Sequence, residues 1–232
     1  MPNIPRRTWA ALRSFTVRSV LLPLAVLAAA LAAAPPAAAG TGDGADAQII
    51  AGDPFVNDDR PGTRCTIGVA VTVGFLADAG CGSAGDRIRG ADGGTGQVAW
   101  SSPAEGVLLV AADPGWTPTA LLRSGSGTAV VEGTDEAPVG ATVCRTGAST
   151  GRHCGTILAK DQTVTTPEGT VTGLTRTGIC AEPGDRGGVY YATGHVQGVF
   201  FAGSGNCATG GASFFHPVLP ILSAHGLTAV TG

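Results

Sequence analysis

The chain has 232 residues, among them 37 Gly, one Lys and six Cys, with 5% aromatic residues, 13% charged residues and a formal net charge of −3. Nothing in that composition reads as disorder; it fits a compact extracellular domain rich in turns. The first 39 residues carry four Arg and no acid, leaving 10 basic against 17 acidic side chains, which argues against nucleic acid or an anionic membrane as partner.

Arg6, Arg7, Arg13 and Arg18 precede an apolar run from Leu21 to Ala34, followed by Pro35-Pro36 and Ala37-Ala38-Ala39. This layout predicts a secretory signal peptide over residues 1–39, and the run falls short of the ~20 apolar residues of a spanning helix. Residues 40–49 read as a short polar linker or pro-segment. Beyond them, short apolar stretches are separated by Gly, Pro, Asp and Ser. Ile67, Val69, Val71 and Val73 alternate with smaller or polar residues, the period of a half-buried strand. Further strands are predicted at Val107 to Ala111, Thr128 to Val131, Gly155 to Leu158, Val171 to Leu174, Val189 to Tyr191 and Val196 to Phe201, a spacing that suggests a barrel or sandwich. One helix is expected, from about Pro217 to His225, with Pro at its start and Gly226 as its stop.

Six cysteines allow fifteen pairings, of which Cys65 with Cys81, Cys144 with Cys154 and Cys180 with Cys207 is the most economical, since each pair closes one local loop. No two cysteines lie within the two-to-four-residue spacing of structural zinc ligands, so no metal site is expected.

Several segments, in order from about Ile50 to the end, resemble the streptogrisin and alpha-lytic protease group of chymotrypsin-like serine proteases. They are Arg64-Cys65-Thr66-Ile67-Gly68, Val143-Cys144-Arg145-Thr146-Gly147, His153-Cys154-Gly155-Thr156-Ile157, Cys180-Ala181-Glu182-Pro183-Gly184-Asp185, Gly203-Ser204-Gly205-Asn206-Cys207 and Phe214-Phe215-His216-Pro217-Val218. The resemblance implies an all-β, chymotrypsin-like fold of two antiparallel Greek-key β-barrels, residues 50–127 and 128–232, the second ending in a short helix. It implies the disulfide pairing given above, no cofactor, and catalytic groups in the cleft between the barrels.

Acyl transfer in that group needs a serine nucleophile, a histidine that moves its proton and an aspartate that orients the histidine. In the family pattern the histidine immediately precedes the second cysteine of the first disulfide, where this chain has Gly80. The serine stands between Gly184-Asp185 and Gly187-Gly188, where this chain has Arg186. The aspartate follows a Ser-rich turn, and the best match is Glu105. The backbone N–H groups of Gly184 and Arg186 correspond to a former oxyanion hole. Phe201-Ala202-Gly203 replaces the Ser-Gly-Gly strand that pairs with substrate. Of the histidines, His153 lies in the second disulfide loop, His195 at a hairpin turn, and His216 and His225 flank the helix, each expected at a surface or helix end.

These replacements predict a secreted pseudoprotease, a monomer that binds a protein or peptide, such as a protease inhibitor, through a remodelled cleft. The alternatives are an active streptogrisin-like serine endopeptidase and a structural exoprotein without a ligand.

Overall fold

The computed structural model describes residues 46–166 and 169–232; the predicted signal peptide and most of the linker lie outside them. Sixteen strands form two lobes. The first lobe comprises β1 (Ala47–Ala51), β2 (Pro54–Asn57), β3 (Arg64–Thr66), β4 (Val69–Val71), β5 (Gly74–Asp78), β6 (Arg87–Gly90), β7 (Thr95–Ser102), β8 (Val107–Ala112), β9 (Trp116–Ser124) and β10 (Gly127–Val130). The second comprises β11 (Thr142–Gly147), β12 (Gly151–Thr166), β13 (Gly169–Thr177), β14 (Val189–Ala192), β15 (His195–Asn206) and β16 (Gly210–Pro217), followed by α1 (Val218–His225).

In the second lobe the six strands pair round in a closed circuit, β11-β12-β13-β16-β15-β14, with β14 returning to β11 through Cys144 opposite Tyr191. The first lobe does not close in this way. Its strands form a seven-stranded sheet ordered β3-β2-β6-β7-β8-β5-β4 and a separate three-stranded sheet ordered β1-β9-β10. The expected pair of closed barrels is therefore one closed barrel facing an open one.

Three boundaries differ from the sequence reading. The strand predicted through Ile67 to Val73 is divided: β3 ends at Thr66, β4 is short, and Val73, half exposed, sits in the turn to β5. Apolar alternation continues through a tight turn there, so period alone cannot show the break. The chain joins the fold at β1, where Ile49 is fully buried, so the polar linker ends before residue 49. β10 pairs with β9 in the first lobe, which moves the crossing between lobes past residue 128. The helix forms as expected, with Pro217 at its start and Gly226 in the left-handed region at its end.

Each lobe has its own apolar core. Phe55, Phe75, Leu108 and Trp116 fill the first, and Val143, Ile157, Tyr190 and Phe215 the second. A third cluster joins Leu76, Leu109 and Leu122 of the first lobe to Tyr191, Val199, Val218 and Ile221 of the second. Burial of this shared surface holds the lobes together and fixes the cleft between them. The disulfides are Cys65–Cys81, Cys144–Cys154 and Cys180–Cys207, the pairing expected from the sequence.

Candidate functional site

The cleft is built on the segment from Cys180 to Gly188, which leaves the β13 end at a disulfide and enters β14. Its geometry is set from within by a buried ion pair. Arg145 on β11 and Asp185 have fully buried side chains with Nη1 and Oδ2 3.2 Å apart. Asp185 also accepts from the backbone N–H groups of Ser149 (3.0 Å), Thr150 (3.0 Å) and Glu182 (2.9 Å) and from the Thr150 hydroxyl (2.8 Å). Arg145 donates to Cys180 O at 3.0 Å and to the Thr150 hydroxyl at 2.8 Å. These bonds satisfy the carboxylate and the Arg145 Nη2, while Arg145 Nε and Nη1 are buried without a hydrogen-bond acceptor, and together with the ion pair they hold the 182–186 turn.

From the other lobe Thr66 fastens the same turn. Its N–H donates to Arg186 O (2.8 Å), its hydroxyl donates to Gly184 O (2.8 Å), and that hydroxyl accepts from Ala148 N–H (2.9 Å). Gly187 sits at φ +85° with the Thr66 carbonyl 2.6 Å from where a Cβ would stand, so no other residue fits. The Gly184-Asp185-x-Gly187-Gly188 frame is thus required by the junction of the two lobes, whatever side chain position 186 carries. Neither the Gly184 nor the Arg186 N–H donates to an acceptor among the described residues.

Arg186 and Gly80 are brought together. The Arg186 side chain reaches the 3-10 turn Ala79–Cys81, where a Cβ built on Gly80 would overlap Nη1. Its Nε lies 3.2 Å from Oδ1 of Asp78, a carboxylate 2% exposed at the end of β5, and the same Oδ1 accepts from Gly80 N–H at 2.7 Å. Asp78 was not singled out in the sequence; an acid at the end of the apolar run Phe75-Leu76-Ala77 was the available signal.

Glu105 does not join this group. It is half exposed, with its carboxylate 3.2–3.3 Å from Nε2 of His225 on α1. The Ser102 hydroxyl, ahead of His225, holds that carboxyl below its usual range. The next residue, Gly106, at φ +71°, lines a cavity together with Arg186, and its carbonyl accepts from Ala79 N–H at 3.0 Å. A Cβ on Gly106 would overlap the His216 ring and stand 3.1 Å from the Phe201 ring.

Phe201 is buried against Val171 and Leu174 with its ring 4.9 Å from that of His216. Its side chain thus turns into the second lobe, beside Gly106. His216 is also buried, contrary to the surface position expected of it, and burial pushes its imidazole down to about 4. His153 Nε2 meets the Thr150 carbonyl, and Asp135 N–H donates to Nδ1 of His195, which lies at the β14–β15 hairpin as expected. His225 stacks on Trp100. Among the described residues no histidine ring contacts a serine or threonine hydroxyl. Ser102 and His225 share Glu105, but the acid stands between them, the wrong order for proton relay.

Two cavities flank the Arg186 side chain. One, of about 800 Å³, is lined by Arg64, Ser149, Ala181 to Gly184, and Phe200 to Gly203. The other, of about 330 Å³, is lined by Asp78, Ser101, Gly106 and Val171. Gly80, Arg186 and Phe201 line both. His153 approaches Cys180 and Cys207, yet both sulfurs are spent in their disulfide and cannot hold a metal.

Comparison with known proteins matches this architecture. The model of the trypsin family covers residues 109–224. The chain belongs to this family of serine proteases. It is 44% identical to streptogrisin-C and 36% to streptogrisin-D of Streptomyces griseus, over 72% and 71% of its own length. It spans about 38% and 44% of the length of those two relatives. Among solved structures, Thermobifida fusca protease A (44% identity) and Cellulomonas bogoriensis chymotrypsin (45%) each superpose with a TM-score of 0.75 over 80% of this chain and 100% of theirs. The two-lobed, β-rich arrangement is thus the chymotrypsin-like fold.

Proposed function

We propose that this family member is a secreted pseudoprotease whose cleft binds a protein or peptide without cleaving it. The observation that carries the reading is the Arg186–Gly80–Asp78 arrangement. A guanidinium occupies the space beside the 3-10 turn into which a side chain at residue 80 would have to extend, and it is held there by a buried carboxylate. An arginine cannot be acylated, and among the described residues no histidine lines either cavity beside it. Loss of nucleophile and base together leaves only binding and a pair of backbone donors, which in a comparable protease corresponds to a loss of about a millionfold in turnover. Secretion rests on the tripartite N-terminus, and on the three disulfides, which persist in oxidising compartments.

A second reading is favoured by kinship, since the relatives named above are proteases: an active serine endopeptidase that recruits other groups. Turnover of casein and of small ester substrates by purified protein separates the two. The proposal expects no turnover above buffer and saturable binding of peptide; turnover that persists through purification and titrates with protein concentration would establish the second reading.

A further inference from the structure

We propose that the cleft receives a chain end, with Arg186 and the backbone donors beside it taking the terminal carboxylate of a peptide. This rests on the binding role proposed above and names the chemistry of its ligand.

The first argument is steric. Gly80, Arg186 and Phe201 form the wall shared by the two cavities, and the Arg186 side chain is pinned across it by Asp78. An extended peptide running from one cavity into the other would have to displace a guanidinium from a carboxylate that is 2% exposed, at the cost of leaving that carboxylate buried without it. A peptide that terminates in the larger cavity meets no such obstacle. At about 800 Å³ that cavity is within the size range of small-ligand and peptide-end pockets.

The second argument is electrostatic. The donors offered to an occupant of the larger cavity are the N–H groups of Gly184 and Arg186, with no acceptor among the described residues, and the Arg186 guanidinium, 40% exposed. Arg64 lines the same cavity and makes no ion pair among the described residues. The one acid in the lining, Glu182, spends Oε1 on the N–H of Cys207 at 2.9 Å. Asp78 lines the smaller cavity and is engaged by Arg186 and by Gly80 N–H. The free donors therefore suit an anion, and a planar carboxylate accepts from both a guanidinium and backbone N–H groups. A terminal ammonium would meet two guanidinium groups against the single carboxylate of Glu182.

The experiment uses three randomised acetylated tetrapeptide pools: one with a free C-terminal carboxylate, one amidated, and one amidated but with Glu at its last position. Binding to purified protein is read by titration calorimetry and by the amide NMR signals of Gly184 and Arg186. Free-acid peptides are expected to bind at least tenfold more tightly than either amidated pool and to shift both amide signals. Arg186→Gln is expected to abolish that preference, and Arg186→Lys to keep part of it, with near-ultraviolet circular dichroism showing that both variants fold. Equal binding of free-acid and amidated pools overturns the chain-end assignment while leaving peptide binding intact. Preference for the Glu pool reassigns the site to an acidic side chain and also overturns it. Absence of binding by every pool removes this inference and the binding role together, and hydrolysis of the pools removes the pseudoprotease reading alone.

Discussion

At the scale of single residues, the account turns on positions whose occupants exclude one another. A Cβ at residue 80 and the Arg186 guanidinium claim the same space, so glycine at one and arginine at the other form a matched set. Gly80→His alone is expected to cost about 1–3 kcal/mol by overpacking against Arg186. In an Arg186→Ser background the same substitution should cost less, and the coupling between the two should exceed about 1 kcal/mol in a double-mutant cycle by urea unfolding. Costs that simply add would show that the two side chains do not meet. The sequence made Gly80 and Arg186 legible because a cysteine and four flanking residues fix their registers. Glu105 had a chemistry to notice, whereas Gly106, which lines the smaller cavity, has only a backbone angle.

At the scale of elements, the 180–188 segment keeps a protease-like frame because the fold needs it. Asp185 anchors the turn through four hydrogen bonds and a fully buried guanidinium. Asp185→Ala leaves Arg145 charged and buried without its counterion, and is expected to destabilise the protein by about 3–5 kcal/mol in denaturant unfolding. A cost under about 1 kcal/mol would mean that the turn is held by Thr66 and the disulfide instead. The strands of the second lobe were readable where a short apolar run coincides with pairing, as at Val189 to Tyr191, though β12 and β15 run far beyond the short segments predicted. Length was hidden because Gly, Asp, Ser and Asn, as at Gly151, Asp161 and Gly203 to Asn206, give an exposed strand the composition of a loop. In the first lobe Val73 continued an apolar period through a turn, and the failure of the sheet to close left no trace in local pattern.

At the scale of the whole molecule, the apolar surface shared by the lobes keeps the cleft fixed, and His216 links that packing to pH. Its burial depresses the imidazole from 6.5 to about 4, with Glu105 opposing the shift. As pH falls below 6.5 the unfolded chain takes up a proton that the folded protein refuses, so stability falls progressively down to about pH 4 and is fully present above 6.5. The difference corresponds to a loss of roughly 3 kcal/mol from this one group. His216→Gln should flatten the pH dependence of the urea midpoint across that window. An unchanged slope would place the titration elsewhere.

If the cleft lacks a nucleophile, as proposed, no side chain in it reacts with a serine-directed reagent. Intact-mass measurement after exposure of the purified protein to a fluorophosphonate reagent tests it most directly, because only an activated hydroxyl reacts quickly. The expected spectrum is that of unmodified protein after hours at excess reagent, beside an active protease labelled to completion. Stoichiometric addition of one phosphonyl group, traced to a single serine or threonine of the cleft, would contradict the account.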